Sequence, residues 1–185
     1  MSKQKIITIV VVLAAVAGGA YLFVYKDFKF SKSENPSAGA LGENPVDKSG
    51  FTEEYISADY GFSFKYPEGF NASELDDDFG HTVLIQKSGV REGFQIYLTL
   101  FDESGPITPE RIKQDLPDMV INSPQQVLIG EKKDIPALIF LSKHESLGDV
   151  REVWFAASGY LFQLTAYADM DNFIGPILET LRFEN

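Results

Sequence analysis

The stretch "ELDDDFGH" places Glu74, Asp76, Asp77, Asp78 and His81 within eight residues. Carboxylate oxygens suit a hard cation such as calcium, and Glu74, Asp76, Asp78 and His81 are the candidate metal ligands. The spacing departs from a known calcium loop. An EF-hand needs Glu at its twelfth position, and counting from Asp76 that position is Lys87. A solvated acidic loop has the same appearance.

Nucleophilic and redox chemistry find little to work with. His81 and His144 are the only imidazoles, they do not form an HxxxH pair, and no GxSxG elbow presents a serine. The chain has no Cys, which removes disulfides, thiolate catalysis, Cys-based zinc sites and a lipidated lipobox. The expectation is a protein that is not an enzyme, with no catalytic residues and no cofactor. One aromatic residue raises a separate question. In "VREVWFAAS", Val153 and Phe155 share one face of a strand, while Glu152, Trp154 and Ala156 share the other. Trp154 is then either core on a sheet covered on both sides or the exposed anchor of a binding patch.

Charge narrows the partners. The net charge of -11 is uneven: residues 1–32 hold five Lys against Asp27, about +4, which leaves about -15 for the remainder. An acidic body repels phosphate backbones and anionic lipid headgroups, so nucleic acid is not an expected partner.

The elements that must position these residues begin after two segments of different character. Ile6 to Tyr25, "IITIVVVLAAVAGGAYLFVY", is a 20-residue uncharged run. As a helix it extends about 30 Å, the thickness of a bilayer core. Its length, and Tyr21 and Tyr25 near its end, favour an uncleaved membrane anchor over residues 1–30. The alternative is a signal peptide cleaved after Ala17 or Ala20, giving a secreted protein. Lys3 and Lys5 face Lys26, Lys29 and Lys32 across the span, so charge alone does not orient it. A short basic start before an apolar run is the form of export signals, which places the body outside the cytoplasm. Residues 31–50, "SKSENPSAGALGENPVDKSG", are too polar and too rich in Gly, Pro and Ser to bury a core. They read as a flexible linker with ends about 25 Å apart.

Beyond the linker the dominant period is two, the mark of strands with distinct faces. In "DYGFSFKYPEGF", Tyr60, Phe62, Phe64 and Tyr66 alternate with Gly61, Ser63 and Lys65, and Pro67 ends the ladder. Four aromatics on one side of so short a segment predict a core face. Further strands are expected at His81 to Lys87, Phe94 to Phe101, Gln126 to Gly130, Ala137 to Lys143, Val150 to Ala157 and Tyr160 to Tyr167. The last two flank Ser158 and Gly159, a connection suited to a tight hairpin. One helix is announced by Thr108 as N-cap, Pro109 at its first position and Ile107 positioned to staple onto Ile112, with Pro117 closing it. A second is expected from Asp171 as cap, with Phe173, Ile174, Ile177, Leu178 and Leu181 at helical spacing and Gly175 and Pro176 disturbing its start. The result is an α+β domain over residues 51–185: one antiparallel sheet flanked by helices.

Taken in order, "YGFSFKYPEGF", "QQVLIGEKKDIPAL", "GYLFQLTAYA" and "FIGPILETLRFEN" resemble the PsbP family, the extrinsic subunits of photosystem II and their bacterial relatives. The resemblance covers about residues 51–185. Family members often carry Trp after the "YP" turn, where this chain has Phe70, and the basic photosystem-binding extension has no counterpart here. The matching segments are packing patterns, so the resemblance transfers no functional residue. It implies a PsbP-like fold and a non-catalytic role: a membrane-tethered, extracytoplasmic binding or assembly module for an envelope protein complex. A small-ligand or metal-binding sensor domain is the alternative.

Overall fold

A computed structural model describes residues 50–184. The expected anchor from Ile6 to Tyr25 and almost all of the linker lie outside the described residues, and within them no helix is long and apolar enough to cross a membrane.

Among the described residues ten strands and two α-helices follow one another: β1 (Glu53–Ser57), β2 (Phe62–Tyr66), β3 (Phe70–Asp76), β4 (His81–Lys87), β5 (Gly93–Leu100), α1 (Pro109–Asp115), β6 (Asn122–Ile129), β7 (Ile135–His144), β8 (Gly148–Ala157), β9 (Tyr160–Tyr167), α2 (Asp171–Leu178) and β10 (Arg182–Phe183). They form two antiparallel sheets, one of seven strands in the order β3-β4-β5-β9-β8-β7-β6 and one of three in the order β1-β2-β10. The expectation of a single sheet is corrected here. The smaller sheet escapes a periodicity argument because β10 is only two residues long, and in β1 only Tyr55 and Ser57 are buried.

The aromatic alternation of β2 explains how the sheets meet. Phe62, Phe64 and Tyr66 are buried and face the larger sheet, where Phe62 meets Phe162 edge-on at 5.2 Å and Phe64 meets Phe94 at 5.8 Å. Offset and edge-on aromatic pairs of this kind add to the stabilisation from burial. Tyr60 departs from the expected set. It lies in the turn before β2, half-buried, and its ring stacks on His81. Ile174, Ile177 and Leu178 of α2 complete this inner core.

The opposite face of the larger sheet is also covered. Ile107 and Ile112 of the α1 region pack with Leu138, Phe140, Trp154 and Leu161 in a second core. Trp154 is fully buried there, which overturns its reading as an exposed anchor. The α1 signals act as their residue types dictate: the Thr108 hydroxyl accepts the Arg111 amide at 3.2 Å and Pro109 stands at the start.

At α2 the expected cap is displaced. Met170 occupies the N-cap position after a single 3-10 turn, and the Asp171 carboxylate instead receives the guanidinium fork of buried Arg151 at 2.7 and 2.5 Å. A buried charge needs such a partner more than a helix end needs a cap. Ser158 and Gly159, with φ of 50° and 81°, close the tight hairpin between Ala157 and its partner Tyr160. β6 begins four residues earlier than expected and carries Pro124, which is tolerated because β6 is an edge strand with a register shift at that point.

Candidate functional site

The acidic segment is the end of a β-hairpin rather than a loop. Residues from Phe70 to Asp76 form an edge strand, missed in the sequence because its side chains are mostly exposed and show no apolar alternation. Asp76 pairs with His81 across the hairpin, and the turn between them is held by Asp77, whose Oδ1 accepts the amides of Phe79 at 2.7 Å and Gly80 at 2.9 Å. Gly80 is required by close approach: a Cβ there would lie 2.3 Å from the Leu98 carbonyl oxygen.

Three of the four candidate ligands meet. His81 is buried, its Nδ1 lies 2.7 Å from Asp76 Oδ1, and its Nε2 lies 3.8 Å from Glu74 Oε2 without a hydrogen bond. Tyr55 donates its hydroxyl to Glu74 Oε1 at 2.8 Å. Burial first, and that bond second, hold the Tyr55 hydroxyl well above its usual range. Tyr60 stacks on the imidazole at 4.7 Å, and Tyr160 meets Tyr60 edge-on at 5.2 Å. Asp78 is exposed in the turn and takes no part in these hydrogen bonds. Among the described residues no group of three or more His, Asp or Glu side chains is arranged to hold a metal ion. The carboxylates here are instead committed to Tyr55, to His81 and to the turn.

The calcium consequence is direct: millimolar calcium is expected to leave the melting temperature of the purified protein nearly unchanged. An ion present at 100 times its dissociation constant would add about 2.7 kcal/mol and raise the melt by several degrees. Such a rise, abolished in the Asp76→Asn, Asp78→Asn double variant, would restore the metal reading.

A second group of residues was overlooked in the sequence. Glu152 on β8 is buried, and its Oε2 accepts both the Trp154 indole N–H at 2.9 Å and the Thr165 hydroxyl at 3.0 Å. Burial pushes this carboxyl up to about 7, against the opposing effect of the two hydrogen bonds. Glu152 lines a cavity of about 410 Å³, together with Leu116, Pro117 and Met119 from the segment after α1 and Ser142 and His144 from β7. A signal was present: Glu152 shares the strand face of Trp154, so a buried Trp154 implied a buried carboxyl nearby. A further cavity of about 540 Å³ lies between β2, the β6–β7 turn and the end of α2. Across it Arg182 grips Glu131 at 2.8 and 3.2 Å.

With both faces of the larger sheet and its hairpins in place, the arrangement can be compared with known structures. The solution structure of cyanobacterial PsbP (CyanoP) from Synechocystis sp. PCC 6803 matches with a TM-score of 0.51, over 79% of this chain and 100% of that chain. The fold is PsbP-like. At 11% sequence identity the likeness concerns the fold alone. No family model matches the sequence, and neither does any curated protein.

On this PsbP-like frame several large apolar side chains stand in solvent. Leu75 on the edge strand β3 and Phe79 in the following turn are 47% and 57% exposed. Ile56, Leu100 and Leu128 are exposed as well.

Proposed function

We propose that this chain is a non-catalytic binding or assembly module, held to the membrane by the segment from Ile6 to Tyr25 and docking outside the cytoplasm on an envelope protein complex. The PsbP-like fold is the observation that carries this reading. The exposed edge strand β3, with Leu75 and Phe79 at its end, supplies unpaired backbone groups and apolar area of the kind that interfaces use. The acidic body adds long-range attraction to a basic partner, which speeds encounter and fades as salt rises.

Crosslinking in intact cells followed by mass spectrometry tests the reading. A reproducible membrane or envelope protein is expected, captured from wild-type cells near 0.15 M salt, where the Debye length is about 8 Å. The Leu75→Ser, Phe79→Ser double variant is expected to recover that partner at least roughly tenfold less, as the loss of interface hot spots would cause. Absence of any reproducible partner defeats the proposal. The alternative, a metal-binding sensor, draws support from one observation, the buried Nε2 of His81 facing Glu74 across 3.8 Å.

A further inference from the structure

We propose that the cavity beneath the segment following α1 binds a small organic amine, with its ammonium group received by Glu152 and its carbon chain lying against Leu116, Pro117 and Met119. The inference stands apart from the docking reading and rests on different residues.

The chemistry follows from which groups in the cavity are already satisfied. Both protein donors reach Glu152 at the same oxygen, Oε2, and among the described residues none donates to Oε1. A carboxylate accepts up to about four hydrogen bonds, so a buried one with two donors has capacity for more. An ammonium supplies three donors and a full positive charge, and it returns a buried carboxyl to its ionised form.

The neighbouring cations do not serve this purpose. Lys143 is drawn to Asp149 at 3.8 Å, and Arg111 is divided between Glu103 and Asp115. His144 accepts the amides of Ser146 and Leu147 at Nδ1, each at 3.2 Å, so that nitrogen serves its own turn.

Three carboxylates, Asp115, Asp118 and Glu152, line the cavity, and an anionic ligand would meet them. The apolar wall of Leu116, Pro117 and Met119 offers contacts that the carbon chain of an organic cation can use and a bare metal ion cannot. A volume of about 410 Å³ lies at the lower end of the roughly 300 to 1,000 Å³ seen for small-molecule sites.

Trp154 is the only Trp in the chain and donates to Glu152, so its fluorescence reports on the carboxyl. The full-length protein, titrated with 1-butylamine at pH 7.5 and constant ionic strength, is expected to show a saturable change, half-complete by about 1 mM. The neutral isostere 1-butanol is expected to produce none. Glu152→Gln keeps an oxygen for both protein donors and is expected to weaken binding at least about tenfold, the effect of losing a charge-assisted bond. Asp118→Asn, at an exposed position on the rim, is expected to weaken it about two- to threefold with the fold intact. The proposal is overturned by an unsaturable response, by an equal response to 1-butanol or sodium, or by unchanged affinity in folded Glu152→Gln.

Discussion

Trp154→Ala is expected to destabilise the domain by about 3 to 5 kcal/mol, the range for removing a large aromatic from a close-packed core. Two losses combine in that figure. The indole is fully buried against Phe140 at 6.0 Å and belongs to the core with Leu138 and Leu161, so truncation opens a void that the flanking strands cannot close. Its N–H also leaves Glu152, whose remaining donor is the Thr165 hydroxyl. Trp154→Phe shifts the balance between the two: it retains most of the volume and removes the donor, for an expected cost of about 1 to 3 kcal/mol. Urea midpoints for the three proteins give the comparison. An Ala variant within about 1 kcal/mol of wild type would mean that Trp154 does not pack this face.

How far the fold could be read in advance depended on whether a segment carried its own signal. Tight punctuation worked at Ser158–Gly159 and at Thr108–Pro109, where backbone geometry is set by the residues themselves. The β4, β5, β7, β8 and β9 strands were legible because one or both faces are apolar. β3 was not, since as an edge strand it buries little and its carboxylates looked like a loop. β10 forms through a distant partner, β2, and β1, though joined to β2 by a short hairpin, buries only Tyr55 and Ser57, so neither carries a local pattern that announces it. The candidate sites divide in the same way. The hairpin end containing Glu74, Asp76 and His81 was visible as a cluster of residue types, whereas the hydrogen bonds that commit those groups require the fold. Glu152 required one more step of argument, from strand alternation to the burial of a charge beside Trp154.

That buried carboxyl gives the second large effect, a pH-dependent stability that Glu152→Gln removes. The folded-state value is raised to about 7, while an exposed Glu in the unfolded chain titrates near about 4.3. Below about pH 4 both states carry the proton and the group contributes nothing to the pH dependence. Between about 4.3 and 7 the unfolded chain ionises first, so the folded state binds more protons and stability falls as pH rises. Above about pH 7 the penalty is complete, at about 3 to 4 kcal/mol for a shift of this size. Glu152→Gln accepts the same two hydrogen bonds without a charge to bury, so it is expected to exceed wild type by up to that amount at pH 8. The advantage shrinks to nearly nothing at pH 4. Asp115, Asp118, Lys143 and His144 line the same cavity and are present in both proteins, so the difference between the two curves isolates Glu152. In melting temperature the gain at pH 8 corresponds to roughly 10 to 15 °C for a domain of this length. A constant offset from pH 4 to pH 8 would show that Glu152 is ionised throughout, and the carboxyl would then have access to solvent that its burial denies it.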